Sequence, residues 1–166
     1  MNKRKKILKI AAIVVVAGLL IGAGVVYYLF NMPHRDVQAS ATDYQLSTSQ
    51  LVNEYIDNRE AANKKYLAED GNSKILEITG TVARISENFN GQKVILLREE
   101  QDKAGVSFTF SPQTNANAAG LQAGQRVTIK GVIRSGVHYD DDLDMYINAV
   151  VDHSDVVRAD GLKTEL

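Results

Sequence analysis

An uncharged apolar run from Ala11 to Phe30 constrains this chain more than any other feature. Its 20 residues at roughly 1.5 Å each give about 30 Å, the thickness of a bilayer hydrocarbon core. In lipid a single such run has to be helical, because a helix satisfies its own backbone polar groups. Lys3, Arg4, Lys5, Lys6 and Lys9 precede the span, and Tyr27, Tyr28 and Phe30 stand at its far end, where an interfacial aromatic belt is expected. The positive-inside rule then predicts a single-pass anchor with a cytoplasmic N-terminus and everything after Asn31 outside. A cleaved signal peptide is the competing reading. Its apolar core is usually about 7–15 residues, shorter than this run, and the nearby small-x-small site, Ala39-Ser40-Ala41, lies well beyond the run's end.

Within the span, Gly18 and Gly22 are spaced as in the GxxxG pattern of close helix packing, so a homodimer through this face is one expectation. The chain contains no cysteine. Disulfides, thiolate metal sites, cysteine nucleophiles and a lipid-modified mature N-terminus are therefore excluded. The net charge of −1 hides an uneven distribution: six basic groups and one acid fall in residues 1–42, against 13 basic and 19 acidic residues from Asp43 onward. A domain that binds nucleic acid through its phosphates needs a positive footprint, and this one is acidic.

Residues 31–43 include Pro33 and His34, lack periodicity and read as a linker. Ser47-Thr48-Ser49-Gln50 is a capping-box pattern. Leu51, Val52, Tyr55, Ile56, Ala62 and Tyr66 then follow helical spacing to about Leu67, predicting one amphipathic helix that packs on the domain. From Lys74 the period becomes two. Leu76, Ile78, Gly80 and Val82 share a face of a first strand, Asn88-Phe89-Asn90-Gly91 is a hairpin turn, and Lys93–Arg98 a second strand. Val106, Phe108 and Phe110 alternate along a third, so both rings are expected in the core. A short irregular or helical stretch over Thr114–Leu121 leads to a fourth strand, Val127–Arg134. A fifth is expected with Met145, Ile147, Ala149 and Val151 on one face, and residues 159–166 as a frayed tail.

Five strands with a helical insert between the third and fourth is the order of an OB barrel. The predicted architecture is all-β with α: a transmembrane helix over 11–30 after a cytoplasmic basic segment over 1–10, an amphipathic helix, then the five-stranded OB barrel, the last two making up 44–158. The helix end Lys64-Lys65-Tyr66, the strand Leu76–Val82, the run Gly124–Gly131 and the acidic Asp140-Asp141-Asp142-Leu143 resemble the tRNA_anti-like family of bacterial OB-fold proteins. The resemblance covers about two thirds of the chain. It implies an architecture and, with the anchor, a bacterial inner-membrane location; an activity does not come with the fold.

An OB barrel binds single strands through exposed aromatics on its second and third strands and a basic groove. Here Tyr139, Tyr146 and Phe89 are the candidate stacking rings, and Lys93, Arg98, Lys130 and Arg134 the candidate cations. The connection between the last two strands is a customary OB ligand loop. It carries the residues expected to meet a ligand or partner: Tyr139, Asp140, Asp141, Asp142, Asp144 and Tyr146. The acidic run lacks the glycine and terminal glutamate of an EF-hand loop. His34, His138 and His153 share no ligand spacing, and no nucleophile elbow or phosphate loop occurs. The expectation is a binding or interaction module, with no catalytic residues, cofactor or metal, that meets the bilayer through 11–30 and an envelope protein or small ligand through its barrel. A single-stranded nucleic-acid-binding OB domain is the alternative.

Overall fold

In the computed structural model, residues 3–31 and 35–160 are described; Pro33, His34 and the tail beyond residue 160 lie outside them. The chain divides into two units, Met1–Arg35 and Asp36–Leu166. The first is helix α1, Lys3–Phe30, at about 1.5 Å per residue long enough and apolar enough to cross a membrane.

The second unit begins with a short strand β1, Tyr44–Ser47, and helix α2, Thr48–Asp57. The capping box forms as its residues dictate: Gln50 N–H donates to the Ser47 hydroxyl, and Ser47 N–H to the Gln50 side chain. The single helix expected from the periodicity breaks at Asn58. That residue is at once the C-cap of α2 and the N-cap of α3, Arg59–Tyr66, its side chain accepting from Ala61 N–H at 3.0 Å. Asn is among the strongest N-cap residues, so a new helix start outcompetes continuation. Glu54 bridges the break, accepting from Lys65 Nζ at 2.9 Å and the Tyr66 hydroxyl at 2.8 Å. Burial works against its carboxylate, but these two bonds and the Lys65 charge hold its pKa below the ordinary value.

Strand β2, Ile75–Glu87, is 13 residues long because it serves two neighbours. Its first half pairs antiparallel with β5, Arg126–Ser135, and its second half with β3, Lys93–Leu97. Strand β3 pairs with β4, Val106–Phe110; β4 runs parallel to β8, Ala149–Ala159; and β8 returns antiparallel to β5. The circuit β2-β3-β4-β8-β5-β2 closes a five-stranded barrel with a 3-10 turn, Asn115–Ala118, between its third and fourth strands. This is the OB topology. Its interior holds Ile78, Val82, Ile95, Leu97, Val106, Phe108, Phe110, Ile129, Ile133 and Val151, closed on one side by Leu51, Val52 and Tyr55 of α2 and Tyr66 of α3. Each such side chain contributes roughly 1.5–3 kcal/mol by leaving water.

Four further features depart from the sequence expectation. Strand β1 lies parallel to the first half of β2, Tyr44 opposite Leu76, on the edge that β3 leaves open. Residues 36–43 are docked rather than free. Val37 is buried with Ile75 and Val132, Asp43 exchanges hydrogen bonds with Ile75, and Lys130 Nζ donates to the Gln38 and Ser40 carbonyls at 3.1 and 2.6 Å. Met145 and Ile147 do not belong to the last barrel strand. They form β7, Met145–Ile147, which pairs with β6, His138–Asp140, as a separate hairpin, and Met145 is exposed. Finally, the last strand, expected to carry Ala149 and Val151, runs on to Ala159 with His153 in its middle, at a bulge with φ +51°.

Candidate functional site

The acidic run forms the tip of the β6–β7 hairpin, which leaves the barrel sheet between β5 and β8. Tyr139 and Tyr146 are directly opposed in its register, their rings edge-on at 5.1 Å, with Lys103 Nζ 5.7 Å from the Tyr146 ring. The Asp140 carboxylate is consumed by the turn, accepting from the backbone N–H groups of Asp142 and Leu143 at 3.0 Å each. Asp144, at φ +51°, closes the turn and accepts from the Tyr139 hydroxyl; that bond is the main cause that pushes the phenol's pKa up. Tyr139, Asp141, Asp142, Leu143 and Met145 face solvent. The hairpin thus presents carboxylates beside one exposed ring and two apolar side chains. Its acids do not converge, and among the described residues no group of three or more His, Asp or Glu side chains could hold a metal ion.

Both roots of the hairpin are fixed. Gly136 sits under the Tyr55 ring of α2, and His138 Nδ1 lies 3.4 Å from the Gly136 carbonyl oxygen. On the other side Asn148 Oδ1 accepts from Gly105 N–H at 2.8 Å, and Ala149 N–H donates to the Gly105 carbonyl.

The face that OB domains use for single strands is different here. Val94, Leu96, Ser107 and Thr109 point outward from β3 and β4, between the buried Ile95, Leu97, Val106, Phe108 and Phe110. No ring lies on it. Phe89 is fully exposed at the tip of the β2–β3 turn, near the Thr109 end of this face, whereas the hairpin is rooted near its Val106 end. The four candidate cations are all engaged: Lys93 with Glu87 at 2.8 Å, Arg98 with the Asp102 carbonyl at 3.1 Å, Lys130 with the Gln38–Ser40 segment, and Arg134 with Asp152 at 3.6 Å and the Gly71 carbonyl. Gly18 and Gly22 lie one turn apart on α1, with open space where their side chains would be.

The family model described as tRNA_anti-like matches residues 1–142. The chain belongs to the tRNA_anti-like family. No curated protein matches it. Among solved structures it is similar to a lipoprotein of Klebsiella pneumoniae subsp. pneumoniae MGH 78578, proposed to bind nucleic acid, at 22% identity, with a TM-score of 0.48, covering 76% of this chain and all of that one. The barrel of this tRNA_anti-like chain has the strand circuit that the resemblance implies. No local spacing in the sequence points to a groove on the same barrel, lined by Asn88, Gln92, Thr109, Phe110, Ser111, Pro112, Asp152 and His153. Only the pairing of β8 with two neighbours at once reveals the bulge that forms it.

Proposed function

We propose that this tRNA_anti-like chain is a membrane-anchored, non-catalytic binding module. It sits in the bacterial inner membrane with its N-terminus cytoplasmic and its OB domain outside, and it engages an envelope protein. The observation that carries this reading is the hairpin: it stands apart from the barrel sheet, fixed at both roots, and offers Tyr139, Leu143 and Met145 beside Asp141 and Asp142. An exposed apolar centre rimmed by charge is the composition of a protein-contact surface, and the carboxylates favour a basic partner by steering its approach. The apolar run of α1, preceded by five basic residues in its first turns, supports the anchor and its orientation.

Protease protection in right-side-out and inverted membrane vesicles tests the topology: the domain should be cut only from the outer face. A photo-crosslinker in place of Leu143 in the full chain tests the surface. Discrete protein adducts that disappear with Asp141→Lys and Asp142→Lys support the reading, and adducts indifferent to those changes, or none, defeat it. Titration of labelled single-stranded DNA and RNA separates the alternative. Saturable binding that weakens steeply with salt is the mark of phosphate-driven recognition and would replace a protein partner with a nucleic acid.

A further inference from the structure

Glu77 of β2 and Lys130 of β5 stand opposite each other in register, where a cross-strand ion pair is expected. It does not form. The Lys130 ammonium turns to the Gln38 and Ser40 carbonyls, and Glu77 accepts instead from the Thr42 hydroxyl at 2.6 Å and the Gln45 amide at 3.1 Å. Among the described residues its carboxylate meets no cation. A second unmatched charge lies on β8. Thr128 of β5 opposes Arg158, and the next residue, Ile129, opposes Val156, so Val157 is the extra residue of a bulge. Val157 and Arg158 therefore line one groove, where a regular strand would send them to opposite faces. Among the described residues the Arg158 guanidinium has neither an ion pair nor a hydrogen bond. Gln45, Glu77, Thr79 and Thr128 complete the groove, which holds about 350 Å³, within the range of small-ligand sites. None of these six residues belongs to β3, β4 or the turn between β2 and β3.

We propose that this groove binds a short zwitterionic peptide, its ammonium at Glu77 and its carboxylate at Arg158. An unpaired carboxylate and an unpaired guanidinium in one groove select a ligand that carries both charges, in the complementary order. Their separation sets its length. Glu77 and Arg158 lie two strands and two residues apart, on the order of 12 Å between their backbones by strand spacing and rise, and their side chains take up part of that distance. One carbon separates the two charges of a free amino acid, whereas two or three extended residues span roughly 7–10 Å. Between the charges the Thr79 and Thr128 hydroxyls share a hydrogen bond of 2.8 Å. One of the pair keeps its proton free to donate and both oxygens still accept, as a peptide group requires. Half-exposed Val157 offers apolar contact to a small side chain. Arg126, beside Arg158, is already held by Glu99 at 3.7 Å, and Asp160 on the same side disfavours a ligand of several negative charges. The groove shares no residue with the β6–β7 hairpin.

The test is calorimetric titration of the full chain in nanodiscs of phosphatidylglycerol, a lipid without an ammonium group. The probes are dialanine and trialanine, each also N-acetylated and C-amidated. Glu77→Gln and Arg158→Gln remove one charge each and keep a hydrogen-bonding side chain; an unchanged denaturation midpoint shows that the fold persists. At least one free peptide should bind saturably, about tenfold or more weakly after either cap and in either variant, the scale of a lost charged hydrogen bond. N-acetylation should cost nothing further in Glu77→Gln, and amidation nothing further in Arg158→Gln. Asp141→Lys should bind as the unaltered chain does, which separates this result from crosslinking at Leu143. Absence of binding at millimolar peptide overturns the proposal, as does binding indifferent to the caps. It also falls if only one of the two charges matters, or if the caps cost as much in the variants as in the unaltered chain.

Discussion

The ring of Tyr55 lies against Gly136 so closely that its Cε1, Cζ and Cδ1 occupy the space where a β-carbon at that position would stand. The contact joins α2 to the root of the acidic hairpin, and it requires that residue 136 have no side chain. Gly136→Ala therefore has to displace the ring, at a cost of about 1–3 kcal/mol typical of overpacking. Chemical denaturation of the full chain in detergent checks the cost. Faster proteolysis at Asp141–Leu143 would show that the hairpin has loosened with it.

Tyr55 is almost wholly buried and its hydroxyl has no hydrogen-bond partner among the described residues. A buried unpaired hydroxyl costs about 1–3 kcal/mol. Tyr55→Phe should consequently be neutral or stabilising by about 1 kcal/mol, the reverse of the usual effect of a core substitution. A clear fall in the denaturation midpoint would show that the hydroxyl is satisfied after all.

The same burial, reinforced by the nearby Tyr66 and Glu54, pushes the Tyr55 phenol up to about 12 from its ordinary 10.0. An acid whose pKa is raised by folding holds its proton more tightly in the folded state. Its contribution is complete below the unfolded pKa and is lost as pH rises through the folded one. Stability should therefore fall between about pH 10 and 12. The fall should be smaller in Tyr55→Phe, with a remainder from Tyr66, which burial also raises. Equal alkaline slopes in the two proteins would remove Tyr55 from the account.

Lys130 holds the segment that enters the domain. Its ammonium donates to the Gln38 and Ser40 carbonyls, while Gln38 Nε2 donates to the His153 carbonyl at 2.7 Å. Charge-assisted hydrogen bonds contribute about 1.5–3 kcal/mol each where they are desolvated, and less where, as here, the groups are only half-buried. Lys130→Met keeps the aliphatic stem and removes the donor. It should cost about 1–2 kcal/mol and speed cleavage within residues 36–43 in limited proteolysis. Unchanged cleavage would mean that Val37 burial alone secures the segment.

What the sequence made legible was local or periodic. The Ser47–Gln50 cap, the alternation through Ile78, Gly80 and Val82, and the inward rings of Phe108 and Phe110 all follow from spacings within a few residues, and all are present. The docking of 36–43 was not legible, because its polar residues have no period and their partners, Lys130 and His153, are about 90–115 positions away. Strand β1 is four residues long and runs straight into a helix cap, too short for alternation to register. At Asn58 a signal did exist: an N-cap residue interrupts a pattern whose apolar spacing otherwise continues. Of the candidate site, the Tyr139–Tyr146 pairing was within reach of hairpin spacing. The bulge at His153 was not, since it is defined only by the registers of two neighbouring strands.

Gly80 shows how a residue's reason can differ from the one its position suggests. A mid-strand glycine in a small barrel invites a bend or bulge, yet the pairing of β2 with β5 passes through Gly80 without a shift. A β-carbon there would meet the buried Thr48 hydroxyl and approach Leu97 Cβ at 3.3 Å. The glycine lets the start of α2 lie directly on the strand. Gly80→Ala should cost about 1–3 kcal/mol. Thr48→Ala, which loses a long 3.4 Å bond to the Thr79 carbonyl, should cost about 1 kcal/mol. The double variant should be less destabilised than the two single costs together, because removing the hydroxyl makes room for the methyl; couplings of about 0.5–3 kcal/mol are usual for residues in contact. Additive costs in the denaturation cycle would place the strain of Gly80→Ala elsewhere, with Leu97 the next neighbour to truncate.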